Sequence, residues 1–143
     1  MQVDFYQLTR DPAEKVLPFI AQRVLDGKGR LLIVSDESVQ LDAISSSLWS
    51  AKADSFLAHA KAGEGDDALQ PILLSEKIEA SNGARFVAIA DGNWRPVEWN
   101  FDRVFYLFPP NRTDNARAAW RSLGEAVERR YWKQDGGKWM QGP

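Results

Sequence analysis

The feature that most constrains the fold is a set of short runs that are apolar at every position. Leu31-Leu32-Ile33-Val34 and Phe86-Val87-Ala88-Ile89-Ala90 show no alternation, so a strand made from either is buried on both faces. Strands of that kind belong to mainly parallel sheets, whose crossover connections are usually helices. Further strand-like runs fall at residues 3–8, 30–35, 71–74, 85–90 and 103–108. Between them the period changes. Asp11-Pro12 opens a helix with Val16, Phe19, Ile20 and Val24 on one stripe, closing at the Gly27-Lys28-Gly29 turn. Asp36 caps a second helix carrying Val39, Leu41, Ile44, Leu48 and Trp49. Thr113 caps a long closing helix with Ala116, Ala119, Trp120, Leu123, Val127 and Tyr131 on one stripe. The expectation is an α/β fold over residues 1–143 as a single domain: a mainly parallel sheet flanked by helices on both faces, a Rossmann-like α/β/α sandwich.

That architecture invites a nucleotide, so the loops that would hold one decide the next step. Gln7-Leu8-Thr9-Arg10-Asp11 and Val34-Ser35-Asp36-Glu37 follow the first two strands, and neither contains Gly. A pyrophosphate needs close approach to backbone amides, so both the dinucleotide fingerprint and the P-loop are missing. Gly63-Glu64-Gly65 lies in an acidic loop that would repel phosphate. The chain has no Cys, which excludes disulfides, thiolate nucleophiles and Cys-ligated metals. His59 is its sole histidine and reads either as a loop-packing residue or as a catalytic one. Ser45-Ser46-Ser47 lies within a helix rather than in a nucleophile elbow, and Asp66-Asp67 lacks a third spaced carboxylate for a cation. No catalytic residue, cofactor or metal site is expected.

Charge points elsewhere. The formal net charge is only −2, but residues 36–79 hold nine acids against three bases, while residues 110–143 hold seven bases against four acids. The basic end is where an anionic partner would bind. Six Trp residues, Trp49, Trp94, Trp99, Trp120, Trp132 and Trp139, stand mostly in polar surroundings, as interface anchors do. Phe86, Phe105 and Tyr106 read as core. Phe108-Pro109-Pro110-Asn111-Arg112-Thr113 leads from a strand end into the closing helix, the edge at which open α/β sheets place ligands. Arg117 sits in the first turns of that helix, where the dipole disfavours a cation by roughly 0.3–1 kcal/mol. It reads as a solvated helix arginine or as the ligand of an anion, with Trp120 beside it as an apolar wall. The second reading gives a pocket for a short peptide with a carboxylate and a large apolar side chain. Apolar runs fall far short of the ~20 residues of a membrane helix, and Met1-Gln2-Val3-Asp4 does not open a signal segment. The expected location is the cytosol.

At these residues the chain resembles the chi subunit family of bacterial DNA polymerase III, the clamp-loader accessory proteins. The resemblance runs nearly end to end. It is carried by Val3-Asp4-Phe5-Tyr6, Leu48-Trp49, Asp54-Ser55-Phe56-Leu57-Ala58-His59, Gly63-Glu64-Gly65, Pro71-Ile72-Leu73-Leu74, Phe101-Asp102-Arg103-Val104, Ala116-Arg117 with Trp120, and Tyr131-Trp132-Lys133-Gln134. It implies an α/β fold without catalytic activity. It also implies a replisome adaptor that grips the acidic, Phe-ending C-terminal tail of single-stranded DNA-binding protein, and that binds the psi subunit or another clamp-loader component on another face. Contact with nucleic acid would be mainly indirect, and no membrane is involved. By the same resemblance Trp49, Phe56, Phe108 and Trp120 would wall the tail pocket, and Arg117 would meet the terminal carboxylate. The tail's acids would lie near Arg112, Arg117 and Arg121. Two departures stand out: Ala58 replaces a common Pro, and Thr113 occupies the place of a second basic residue, with Arg112 next door as its substitute. Two other classes compete: a small hydrolase or nucleotide-binding enzyme using His59 and the acidic loop, and a direct single-stranded DNA binder using the basic, Trp-bearing end.

Overall fold

The computed structural model describes residues 1–50, 57–97, 101–135 and 138–142. Phe56 and Trp99 therefore lie outside the described residues. The chain runs β1 (Gln2–Gln7), α1 (Ala13–Asp26), β2 (Leu31–Val34), α2 (Ser38–Ser50), β3 (His59–Lys61), β4 (Ile72–Ser75), β5 (Phe86–Ile89), β6 (Arg103–Phe108), α3 (Thr113–Ser122), β7 (Glu128–Asp135) and β8 (Lys138–Gln141), with short 3-10 turns at Asp67–Leu69 and Pro110–Arg112. The strands form one eight-stranded sheet in the order β3-β4-β2-β5-β6-β1-β7-β8. Every pairing is parallel except that of β7 with β8. The α/β class read from the sequence holds, and the sheet is mixed only at its C-terminal edge.

The apolar runs are buried as their patterning requires. All four residues of β2 are fully buried, as are Ile72, Leu73 and Leu74 on β4. Strand parity then divides the core. Leu31, Ile33, Ala88, Phe105 and Leu107 join Val16, Ile20 and Val24 of α1 and Leu41, Ile44 and Leu48 of α2 in one cluster. Phe5, Leu32, Val34, Val87, Ile89, Tyr106 and Phe108 join Ala116 and Ala119 of α3 in the other. Burying each such large side chain contributes about 1.5–3 kcal/mol.

The structure departs from the sequence reading at several element boundaries. Helix α3 ends at Ser122, and Val127 and Tyr131 lie beyond it, Tyr131 on β7. Arg129 explains the stop: its guanidinium donates to the carbonyls of Trp120 (2.6 Å), Leu123 (3.2 Å) and Gly124 (2.7 Å), satisfying the orphan acceptors that end a helix. Thr113 is the first residue of α3 rather than its cap, with its hydroxyl donating to the Pro110 carbonyl at 2.8 Å. Likewise α1 begins one residue after Pro12, without a side-chain cap. Finally, His59 opens the short strand β3 instead of lying in a loop.

The β1–α1 loop is closed by a residue from the far end of the chain. Gln134 of β7 is buried, and its Oε1 accepts from the backbone N–H of Thr9 (3.3 Å), Arg10 (3.1 Å) and Asp11 (3.2 Å). Its Nε2 donates to Asp11 at 2.8 Å, and the Thr9 hydroxyl donates to its carbonyl at 2.7 Å. The amides that a phosphate would use in a nucleotide-binding α/β protein are thus filled by an internal amide oxygen. Gln134→Leu strands these donors and should lower stability by about 1–3 kcal/mol in urea unfolding, since a buried donor without a partner costs that much.

Tyr106 on β6 donates to the Gly92 carbonyl at 2.7 Å. Gly92 has φ +76, and a Cβ there would stand 3.0 Å from Pro109, so only glycine lets the loop approach. Burial, reinforced by the Asp91 charge, pushes the Tyr106 phenol up to about 12 from an ordinary 10.0. A phenol whose pKa is higher folded than unfolded stabilises the fold below the unfolded value and loses that contribution as pH rises towards the folded one. Stability of the wild type should fall between about pH 10 and 12 more steeply than that of Tyr106→Phe, followed by unfolding at a series of pH values.

Candidate functional site

A groove of about 580 Å³ opens between α3 and the β1–β7 part of the sheet. Helix α3 contributes Thr113, Ala116, Arg117, Trp120 and Arg121. Strand β1 contributes Phe5 and Gln7, and β7 contributes Tyr131 and Lys133. Alternation along β7 sends Arg129, Tyr131 and Lys133 to the α3 side and Trp132 and Gln134 to the other. Helical spacing does the corresponding work on α3, where Thr113, Ala116, Arg117 and Trp120 share a face.

The floor is aromatic. Phe5 lies with its ring centroid 5.1 Å from Trp120, and Trp120 stands 6.4 Å from Tyr131 in an edge-on arrangement. Phe5 is also stacked at 6.3 Å on Trp94 and meets Tyr106 at 5.5 Å, so the floor continues into the core. The Tyr131 hydroxyl donates to Gln7 Oε1. Burial pushes the Tyr131 phenol above its usual range, with the nearby Arg117 charge opposing that shift.

The rim is cationic, with no acid among the described residues that line it. Arg117 is 71% exposed, and its one ion pair among the described residues, to a 98% exposed Asp114, is long at 3.9 Å. Such a pair contributes little in water, so the guanidinium is available to a ligand. Arg121 and Lys133 take part in none of the ion pairs found among the described residues.

The residues expected to form one pocket are sorted differently in space. Arg117, Trp120, Thr113 and Arg121 come together in the groove. Phe108 is fully buried, its ring 6.1 Å from Tyr131, and supports the floor without lining the groove. Arg112 precedes α3 and lines a second groove, with Arg10, Asp11, Glu14, Glu37 and Asp91, at the C-terminal ends of β1, β5 and β6. That groove is dominated by acids. Burial pushes the Asp91 carboxyl up, but hydrogen bonds from Arg95 (2.6 Å) and from the amides of Asp36 and Asn93 outweigh it and hold the group below the usual range. Trp49 lies in the last turn of α2, lines neither groove, and belongs to a helix whose buried residues fall in a different core cluster from those of α3. Phe56, its expected neighbour, lies outside the described residues. Phe5, Gln7, Tyr131 and Lys133 were not expected in the site. The signal for the last two is the period-two pattern Arg129-Tyr131-Lys133, which a helical reading of the segment conceals.

His59 does meet a serine. Its Nδ1 faces the Leu57 carbonyl at 2.8 Å and its Nε2 faces Ser45 Oγ at 2.8 Å. A carbonyl only accepts, so Nδ1 carries the proton, and in the neutral ring Nε2 accepts from the Ser45 hydroxyl. Trp49 packs on the ring with centroids 4.6 Å apart. Ser45 lies mid-helix, and neither residue lines the two grooves described above. Among the described residues no group of three His, Cys, Asp or Glu side chains could hold a metal ion. No described helix is long and apolar enough to cross a membrane.

An α/β protein with its first βα loop plugged and a basic, aromatic-floored groove on one side fits an accessory component better than a nucleotide-using one, and comparison with protein families places it among the accessory subunits of DNA polymerase III. The chain belongs to the DNA polymerase III chi subunit family, HolC, whose family model matches residues 1–127. The matched span includes α3 and ends just before β7. No curated protein matches the chain.

The Ser45–His59 contact is expected to be structural. His59→Ala should cost about 1 kcal/mol for its lost hydrogen bonds, read by thermal unfolding. Hydrolysis of a nitrophenyl ester that disappears in both Ser45→Ala and His59→Ala would contradict this.

Proposed function

We propose that this chain is a non-catalytic replisome adaptor which takes the acidic C-terminal tail of single-stranded DNA-binding protein in the α3–β7 groove and links that protein to the clamp loader. Family membership supports a replication accessory role, which would place the chain in the cytoplasm with the replisome. The observation that carries the finer reading is the combination of an aromatic floor and three cations without acid partners in the lining. A terminal Phe side chain suits the pit between Trp120 and Tyr131, with the buried Phe5 ring beneath them. Its free carboxylate falls to Arg117, whose forked N–H groups can donate to both oxygens.

Trp49, 51% exposed, does not line that groove. A large exposed aromatic away from the groove suits the second partner, psi or another clamp-loader component. Direct capture of single-stranded DNA by the C-terminal tryptophans is less well supported. Trp132 and Trp139 pack on Tyr6, at centroid distances of 6.5 and 5.1 Å, rather than standing free to stack on bases.

A short tail buries less than about 1,200 Å², which corresponds to micromolar affinity. Because Arg117 is largely exposed before binding, Arg117→Ala should weaken a Phe-ending acidic peptide about tenfold, less than for a fully buried pair. Trp120→Ala should cost about 2 kcal/mol. Affinity should fall with added salt, as exposed charges are screened beyond about 8 Å at physiological ionic strength. Fluorescence anisotropy of a labelled peptide measures all three, and unchanged binding in a folded Arg117→Ala variant would overturn the assignment.

A further inference from the structure

We infer that Lys133 of β7 is a specificity-determining cation of the groove, which reads a second negative charge placed before the ligand's terminal carboxylate. This rests on the peptide-binding reading above and deepens it. Arg117 and Arg121 stand on α3, one turn apart on the same wall, whereas Lys133 stands on the β7 wall. A single carboxylate is satisfied by one guanidinium fork and would leave the remaining positive charge of the rim unneutralised. The complementary ligand therefore carries more than one negative group, distributed across the groove. A peptide with acidic side chains upstream of its free C-terminus has that form.

Three of the other basic residues of the C-terminal segment are committed elsewhere, and the fourth, Lys138 on β8, does not line the groove. Arg129 holds the end of α3, Arg130 pairs with Glu128 at 3.0 Å, and Arg112 lines the acidic groove beyond Thr113. Lys133, by contrast, is exposed and takes part in none of the ion pairs found among the described residues. Its side of the sheet is also fixed. The next residue, Gln134, is buried under the β1–α1 loop and accepts from three amides there, and a slip of one residue along β1 would turn Lys133 away from α3.

The test uses short synthetic peptides ending in Phe, with aspartates or asparagines before it, and with free or amidated C-termini. Wild type should prefer the aspartate peptide over the asparagine peptide by about two- to fivefold beyond the effect of the terminal carboxylate. Lys133→Ala should lose most of that preference and keep its sensitivity to C-terminal amidation, and Lys133→Arg should restore the preference. Arg117→Ala should show the converse: loss of amidation sensitivity with the aspartate preference retained. Arg112→Ala should change neither. The inference is overturned if Lys133→Ala discriminates between the two peptides as wild type does, or if Arg112→Ala is the variant that loses discrimination. Failure of wild type to bind either free-carboxylate peptide would instead overturn the peptide-binding reading itself.

Discussion

Three backbone N–H groups converging on one side-chain oxygen hold the α3 half of the molecule in place. Gln134 ties β7 to the β1–α1 loop across more than a hundred residues of sequence, and β1 is the strand that β6 and β7 both flank. Since the side-chain period of a strand is two, this anchor sets which residues of β7 face α3. Arg129 supplies the reciprocal tie by binding the carbonyls at the end of α3. Helix and strand, the two walls of the groove, are thereby joined at one end by charge-assisted hydrogen bonds. The amide cluster that would hold a phosphate in a nucleotide-binding relative of this architecture serves here as a structural lock.

A basic C-terminal segment is a single electrostatic feature only in the sequence. In space its charges have separate duties. Arg129 and Arg130 serve internal partners, Arg112 faces acids, and Arg117, Arg121 and Lys133 gather over an aromatic floor. The wider pattern is the same: Arg95 is bound to Asp91 and Asp36, and Arg85 to Asp102. What distinguishes the groove is less its number of cations than the lack of acids lining it. The floor beneath it, Phe5 with Trp94, Tyr106 and Trp120, is continuous with the hydrophobic core, so groove shape and core packing are one problem for the sequence.

Runs such as Leu31–Val34 were legible because an element apolar on both faces leaves little alternative to a central parallel strand. The closing helix was misread because Trp120, Leu123, Val127 and Tyr131 recur at helical spacing, while the event that stops the helix is tertiary: a guanidinium six to nine residues away in sequence. Within the site, the α3 residues followed from helix-surface spacing. Tyr131 and Lys133 did not, because their membership depends on β7 lying beside β1, a pairing that local pattern does not encode. The resemblance groups Trp49 with Arg117, whereas the groove that Arg117 lines does not include Trp49. Phe56 and Trp99 lie outside the described residues.

The sheet is open, and its two outermost strands are short: β3 has three residues and β8 four. Each carries a lysine, Lys61 on β3 and Lys138 on β8. Unpaired strand edges recruit other chains through their free amides and carbonyls, and short length with a charged side chain is how natural sheets discourage it. For an accessory subunit of a large assembly this matters more than for a solitary enzyme. It would work at high local concentration among many copies of other chains, where a permissive edge would nucleate aggregates. A contact made by side chains discriminates between partners, whereas one made by a backbone edge does not.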